Sequence, residues 1–113
     1  MVDEMTLYGL KNCDSCRKAL LALRTAGHQV KFVDIRISPL DEKQLAALLK
    51  SHGEAVLVNR KSLTWRNLEN KIRVQPLLYL LTQYPTLIKR PVIYRDENSY
   101  IGWSRVVQTA LGL

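Results

Sequence analysis

Three segments in immediate succession restrict this chain more than anything else in it: an apolar run from Met5 to Leu10, a helical pattern beginning near Cys13, and a second apolar run from Val30 to Ile35. The first run reads as a buried strand. Beyond it Ala19, Leu20, Leu23 and Ala26 recur as one face of a helix would. Ala26-Gly27-His28 supplies that helix with an end, because glycine takes the left-handed conformation at C′ at little cost. Val30 to Ile35 is then a second strand. A strand, a helix and a strand within about 30 residues form a βαβ unit, whose strands run parallel with a right-handed crossover. His28 is expected only as a surface residue beside the turn.

Both cysteines, Cys13 and Cys16, fall where the first strand hands over to the helix. The first turn of a helix has unpaired backbone N–H groups and about half a positive charge, and both favour an anion. A thiolate is such an anion, and Lys11, Arg17 and Lys18 add charge of the same sign, conditions under which a cysteine pKa of about 8.5 falls to roughly 3.5–7.5. Cys13 is therefore the candidate nucleophile. Cys16 lies one turn further along, is expected to be less accessible, and is the candidate resolving thiol, because residues i and i+3 at a helix start come within disulfide reach. Two other readings stand beside this one: a pair of inert buried thiols, and half of a zinc site. Zinc would need two more ligands, for which His28 and His52 remain, with no second C-x-x-C or paired histidine motif.

Further along, Ser38-Pro39-Leu40-Asp41 predicts a helix start, with Ser38 at the N-cap, Pro39 at the first helical position and an acid three residues after the serine. Leu45, Leu48 and Leu49 give that helix an apolar stripe until Ser51-His52-Gly53 ends it, His52 interacting with the helix dipole. Val56 to Val58 is a short apolar segment before a polar loop and short helix over 59–68, anchored by Trp65 and Leu68. Leu77, Leu78, Leu80 and Leu81 predict another helix between Gln75 and Tyr84, bounded by Pro76 and Pro85. A β-hairpin follows, with Val92 to Tyr94 pairing with Tyr100 to Gly102 across the polar loop Arg95 to Ser99. A last helix is expected from Ser104 through Val106, Val107, Ala110 and Leu111. No linker or repeat divides the sequence, so residues 1–113 are expected to form a single domain.

Composition narrows the setting. With 113 residues and 47% hydrophobic content the chain is long enough to bury a core without disulfides. No apolar run approaches the roughly 20 residues of a membrane span, and the opening Met1 to Glu4 is acidic where a signal peptide is basic. A cytoplasmic location without membrane association is expected, where a C-x-x-C is more often catalytic or redox-sensing than structural. The formal charge of +7 suits anionic small molecules, acidic protein surfaces or nucleic acid. Arg60, Lys61, Arg66, Lys71 and Arg73 against Glu69 make the densest basic stretch. It carries no nucleic-acid motif or array of stacking aromatics, so direct nucleic-acid binding is not expected.

The βαβ unit with its C-x-x-C, the helical insertion after the second strand, the hairpin reached through Pro91 and the closing helix are the layout of a thioredoxin-like fold with a four-stranded mixed sheet. More narrowly, Tyr8-Gly9 ahead of Cys13, Asn59-Arg60 with Thr64-Trp65-Arg66, Ile88-Lys89-Arg90-Pro91, and Tyr100-Ile101-Gly102 resemble the arsenate reductase (ArsC)/Spx family along nearly the whole chain. The short YffB-like members of unassigned activity are the nearest in pattern. The resemblance implies that Cys13 attacks an oxyanion, that Arg90 holds that anion or a glutathione carboxylate, and that Pro91 is cis and faces Cys13. Lys11, Asn12, Asn59 and Arg60 join Pro91 as implied substrate-binding residues.

No metal or bound organic cofactor is implied; glutathione is the implied co-substrate, and glutaredoxin or thioredoxin the implied partner. Glutaredoxin-linked arsenate reductases carry two further arginines, at positions that correspond here to Asn59 and Trp103; Arg60 is the candidate to replace the first, and Trp103 has no charge to replace the second. Finally, Cys13-Asp14-Ser15-Cys16-Arg17-Lys18 resembles the redox switch of Spx, a transcriptional regulator that binds RNA polymerase. Two functions are thus implied: a thiol oxidoreductase, or a redox-switched regulator engaging the RNA polymerase α subunit.

Overall fold

The computed structural model describes residues 4–113, so the acidic opening at Met1 to Asp3 lies outside the described residues. In chain order the elements are β1 (Glu4–Gly9), α1 (Asp14–Thr25), β2 (Gln29–Asp34), α2 (Glu42–His52), α3 (Glu54–Leu57), α4 (Leu63–Asn67), α5 (Asn70–Arg73), α6 (Leu77–Gln83), a 3-10 turn at Pro85–Leu87, β3 (Val92–Arg95), β4 (Asn98–Ile101) and α7 (Arg105–Ala110). They group into two compact units, one made of the residues up to Ser38 with Arg90–Leu113, the other of Pro39–Lys89.

The first unit carries the whole four-stranded sheet, in the order β2-β1-β3-β4. β1 and β2 are parallel from Glu4 opposite Gln29 to Gly9 opposite Asp34, as the βαβ connection requires. β3 runs antiparallel to β1, with Leu7 opposite Ile93, and the β3–β4 hairpin pairs Val92 with Ile101 and Arg95 with Asn98. The mixed sheet expected of a thioredoxin-like fold is present, and α2 to α6 are the helical insertion between the second strand and the hairpin. β1 and β2 each begin and end one residue earlier than the apolar runs suggest. Ladder pairing, rather than hydrophobicity, sets a strand's ends, although the Ile35 N–H still donates to the Gly9 carbonyl at 3.1 Å.

Alternation along β1 turns Met5 and Leu7 to one face, where both are fully buried. α1 covers them with Cys16, Ala19 and Leu23, one turn apart, and Val30, Ile93, Val107 and Leu111 complete the cluster. Burying a side chain such as Leu7 or Leu23 stabilises the fold by about 1.5–3 kcal/mol. α1 ends as its sequence predicts. Gly27 sits at φ 94°, its N–H donates to Arg24 O at 3.0 Å, and the His28 N–H donates to Leu23 O at 3.1 Å, which together are a Schellman cap. α7 starts at Ser104 as expected, with the Ser104 hydroxyl accepting from the Val107 N–H at 3.3 Å.

The second unit is helical and packs Leu45, Leu48, Leu57, Leu80, Leu81, Leu87 and Ile88 inside it. Its first helix does not start at Ser38. The Ser38 N–H closes a turn onto Asp34 O at 2.8 Å, and the cap of α2 is Asp41, whose carboxylate accepts from the Gln44 N–H at 2.7 Å while the Gln44 side chain accepts from the Asp41 N–H at 3.1 Å. This reciprocal box satisfies two donors where a Ser38 cap would satisfy one. Leu40 and Leu45, at the positions of a hydrophobic staple around that cap, are both buried. The apolar segment expected at Val56 to Val58 splits between α3 and a single antiparallel bridge, Val58 to Ile88. The helix expected over Gln75 to Tyr84 is α6, with Pro76 at its N-cap. Among the described residues no helix is long and apolar enough to cross a membrane.

Candidate active site

β1 stops at Gly9, and Leu10 to Asn12 turn the chain into α1, the Cys13 N–H donating back to Leu10 O at 3.3 Å. Lys11 and Asn12 form the exposed tip of that turn. Cys13 takes the N-cap position with φ −96° and ψ 120°, while Cys16, in the first turn, is 1% exposed. Both are free thiols. Expected junction and observed junction coincide: the half-buried thiol stands at the helix start and the buried one a turn inside.

Their environments drive the two thiols apart. Burial acts to raise the pKa of Cys13, but the Cys16 backbone amide, the Cys16 thiol and Arg90 are donors that favour the thiolate, and with the Arg90 charge they hold it below the ordinary 9.0. No side-chain cap bond closes at Cys13 in the thiol form; a thiol sulfur is a weak acceptor, and the amide interaction belongs to the thiolate. Cys16 goes the other way. Burial foremost pushes it up to about 12, opposed chiefly by the Leu10 backbone; donation to the Cys13 sulfur and the charge there add to the rise, and Arg90 opposes it least. Cys13 is thus the thiol prepared to lose its proton and Cys16 the one prepared to keep it.

The cation acting on Cys13 is not one of its sequence neighbours. Arg17 is hydrogen-bonded to Asp14, whose carboxyl it holds below the usual range, and Lys11 and Lys18 are exposed. Arg90, distant in sequence, supplies the charge from the segment leading into β3. The Arg90–Pro91 bond is cis. Pro91 is buried and its carbonyl accepts from the Gly102 N–H at 2.8 Å.

Asn59 and Arg60 belong to the second unit. Asn59 organises a turn there, its side-chain oxygen accepting from the Lys61 N–H at 3.2 Å. Arg60 pairs with Glu54 at 2.9 Å and lies 5.3 Å from the centre of the Trp65 ring. Trp103, in the first unit, packs against the hydrophobic cluster, as Cys13, Leu20, Phe32 and Tyr100 also do. Among the described residues no group of three or more His, Cys, Asp or Glu side chains gathers as a metal-ligand set. Sequence reasoning gave Gly9 no role, yet a β-carbon there would lie 2.4 Å from Cys16 Sγ. The signal that finds it is the period-two row Met5, Leu7, Gly9, read together with the helix that covers it.

Comparison with known proteins places this geometry. The model of the ArsC family matches residues 8–107. An uncharacterized protein of Haemophilus influenzae is 39% identical over 104 residues, covering 88% of this chain and 91% of its own. The global transcriptional regulator Spx of Streptococcus pneumoniae is 35% identical over 107 residues, covering 88% of this chain and 79% of its own. A solved structure of a YFFB protein superposes with a TM-score of 0.87 at 26% identity, over 95% of this chain and 97% of that one.

Proposed function

The chain belongs to the ArsC family, and from that premise we propose that it is a thiol-dependent oxidoreductase in which Cys13 is the nucleophile, Cys16 the resolving thiol and Arg90 the clamp for an oxyanion or a glutathione carboxylate. The observation that carries the reading is the opposed setting of two free thiols three residues apart, one half-buried at the helix N-cap under the charge of Arg90 and the other buried a turn inside, which lowers the pKa of the first and raises that of the second. A structural pair of buried cysteines has no use for such a difference. A nucleophile and its resolving partner do, because the first must be ionised before attack and the second must wait.

With a glutathione mixed disulfide, the Cys13 thiolate attacks the glutathione sulfur. A bond from Cys13 to glutathione forms and the substrate leaves as a thiolate. Cys16 then loses its proton and attacks Cys13 Sγ, expelling glutathione thiolate and leaving a Cys13–Cys16 disulfide, which an external dithiol of the glutaredoxin or thioredoxin kind reduces with two electrons. Once Cys13 is tied up in the mixed disulfide, its charge no longer opposes ionisation of Cys16. Burial still does, so the second step is the slower one. With arsenate the same thiolate attacks arsenic with loss of hydroxide; a second thiolate, from Cys16 or glutathione, then attacks Cys13 Sγ, and as the S–S bond forms the S–As bond breaks with its electron pair going to arsenic, which leaves as arsenite. Lys11 and Asn12, at the exposed turn before Cys13, are suited to meet the substrate's polar groups, and Pro91 fixes the chain direction beside Arg90. Asn59 and Arg60 stay with the second unit, the latter engaged there by Glu54 and Trp65.

The test is turnover of a glutathione mixed disulfide and of arsenate, each with glutathione and glutaredoxin supplied, by wild type, Cys13→Ser and Cys16→Ser. Cys13→Ser should be inactive, and Cys16→Ser should accumulate glutathione on Cys13. Equal activity of wild type and Cys13→Ser sinks the proposal. The 35% identity to a transcriptional regulator favours a second reading, in which closing the same disulfide switches a cytoplasmic binding protein for the RNA polymerase α subunit. Retention of α subunit by only one redox state, with neither substrate turned over, would decide for it.

A further inference from the structure

Met5, Leu7 and Gly9 occupy alternate positions of β1 and so share one face. The first two fill that face with fully buried side chains under α1. At the third position there is no side chain, and Cys16 uses the space. A β-carbon on Gly9 would stand 2.4 Å from Cys16 Sγ and 3.2 Å from Cys16 Cβ. The first distance is far inside the roughly 3.5–4.0 Å at which non-bonded heavy atoms attract.

We propose that Gly9 is a positioning residue for the thiol pair: by leaving the strand bare beneath the helix start, it seats Cys16 Sγ where that thiol donates to Cys13 and stays within reach for disulfide closure. The inference deepens the oxidoreductase reading and rests on it for the chemical use of the pair. Glycine is not needed here for backbone freedom, since Gly9 lies within the extended ladder opposite Asp34 and its φ is not positive. What it provides is room for sulfur.

An alanine at position 9 meets the end of one side chain rather than a wall of backbone. Cys16 also borders a cavity of about 280 Å³ that includes Leu10, Leu20 and Phe32 in its lining. The sulfur displaced by a methyl group on Gly9 has that cavity to turn into, and the 3.2 Å contact at Cys16 Cβ needs to open by only a few tenths of an ångström. The fold survives and the thiol pair is broken. The Cys13 thiolate would keep the stabilisation it has from the Cys16 amide and from Arg90 but lose that of the Cys16 thiol. The other charged groups at this helix start, Lys11, Asp14, Arg17 and Lys18, are unchanged by the substitution.

The experiment is a double-mutant cycle of Gly9→Ala with Cys16→Ala, reading the pH dependence of Cys13 alkylation by iodoacetamide in all four proteins and, in the two that retain Cys16, the rate of disulfide closure with a fixed concentration of diamide. Folding is checked by thermal melting. With Cys16 present, Gly9→Ala should move the Cys13 titration to higher pH and slow closure at least tenfold. With Cys16→Ala, adding Gly9→Ala should move the titration no further. An equal shift in both backgrounds, or none in either, overturns the proposal. Should Gly9→Ala alone fail to fold, the double variant, which removes the opposing sulfur, is expected to fold; its failure overturns the proposal as well. None of these readouts uses substrate, so a chain that turns over neither arsenate nor a glutathione mixed disulfide still passes or fails this test on its own terms.

Discussion

Arg73 donates from Nε and Nη2 to the carbonyl oxygen of Trp65, at 3.2 and 3.0 Å, while its guanidinium stands 5.2 Å from the centre of the same residue's ring. Its Nη2 also reaches Arg66 O at 3.1 Å. One planar cation thus ties the C-terminal end of α4, where the Trp65 carbonyl also accepts from the Leu68 N–H at 3.2 Å, to α5. Arg60 stands over the same ring but is otherwise held by one exposed ion pair with Glu54.

Arg73→Ala should therefore destabilise the protein by about 1.5–3 kcal/mol, the range for hydrogen bonds to charged groups. Arg60→Ala should cost no more than about 1 kcal/mol, as exposed ion pairs and exposed cation–π contacts do. Arg73→Lys keeps the charge but not the fork and should fall between them. Urea denaturation measures all three, and a larger loss in Arg60→Ala than in Arg73→Ala would contradict the assignment.

The start of α2 offers a sharper comparison. Asp41→Ala removes one half of a capping box and should cost about 1 kcal/mol. Ser38→Ala removes a hydroxyl that caps nothing in α2 and should stay within about 0.5 kcal/mol of wild type. If the two values were reversed in the same denaturation series, Ser38 would be the cap after all.

Mass mapping of alkylation against pH should find Cys13 modified below the ordinary thiol value of 9.0 and Cys16 unmodified until close to 12. Arg90→Ala and Arg90→Lys should both raise the Cys13 midpoint and lower its rate at pH 7 several-fold, since both remove the forked donor. Arg60→Ala should have the smaller effect, its guanidinium being taken up by Glu54 and Trp65. A wild-type midpoint in both Arg90 variants would remove Arg90 from the site.

Cys16 also predicts how stability varies with alkali. Its folded pKa is raised by burial to about 12 against 9.0 for the unfolded thiol, so between these values the unfolded chain binds fewer protons than the native one. Stability must then fall as pH rises through that window, and the contribution is intact below 9.0. Urea midpoints from pH 8 to 11 should decline more steeply in wild type than in Cys16→Ala. Parallel declines would mean that Cys16 is not protected from ionisation.

Much of the molecule was legible from local pattern. The apolar run, the helical stripe and Gly27 specify the βαβ unit, because strand alternation, helix periodicity and a left-handed C′ residue each act over a few neighbours. The two thiols could be placed at a helix start for the same reason, and Ser104 as the cap of α7. At Ser38-Pro39-Leu40-Asp41 the local pattern put the cap on Ser38. The reciprocal bonds of Asp41 and Gln44, and the burial of Leu40 ahead of them, put it on Asp41 instead.

What the sequence by itself determined is therefore the βαβ unit, the later hairpin and closing helix, and the position of Cys13 and Cys16 at the first helix start; the short helices α3 and α5 it did not give. Which cation acts on Cys13, and what Gly9 is for, only the tertiary structure decided. Lys11, Arg17 and Lys18 are neighbours in the chain, but Arg17 is spent on Asp14 and the charge on the sulfur comes from Arg90, brought back by β3 pairing with β1. Gly9 meets Cys16 across the packing of a helix on a strand. Electrostatic attraction and steric exclusion fall off with distance in space, and distance in space is set by sheet pairing and helix packing between residues far apart in the chain.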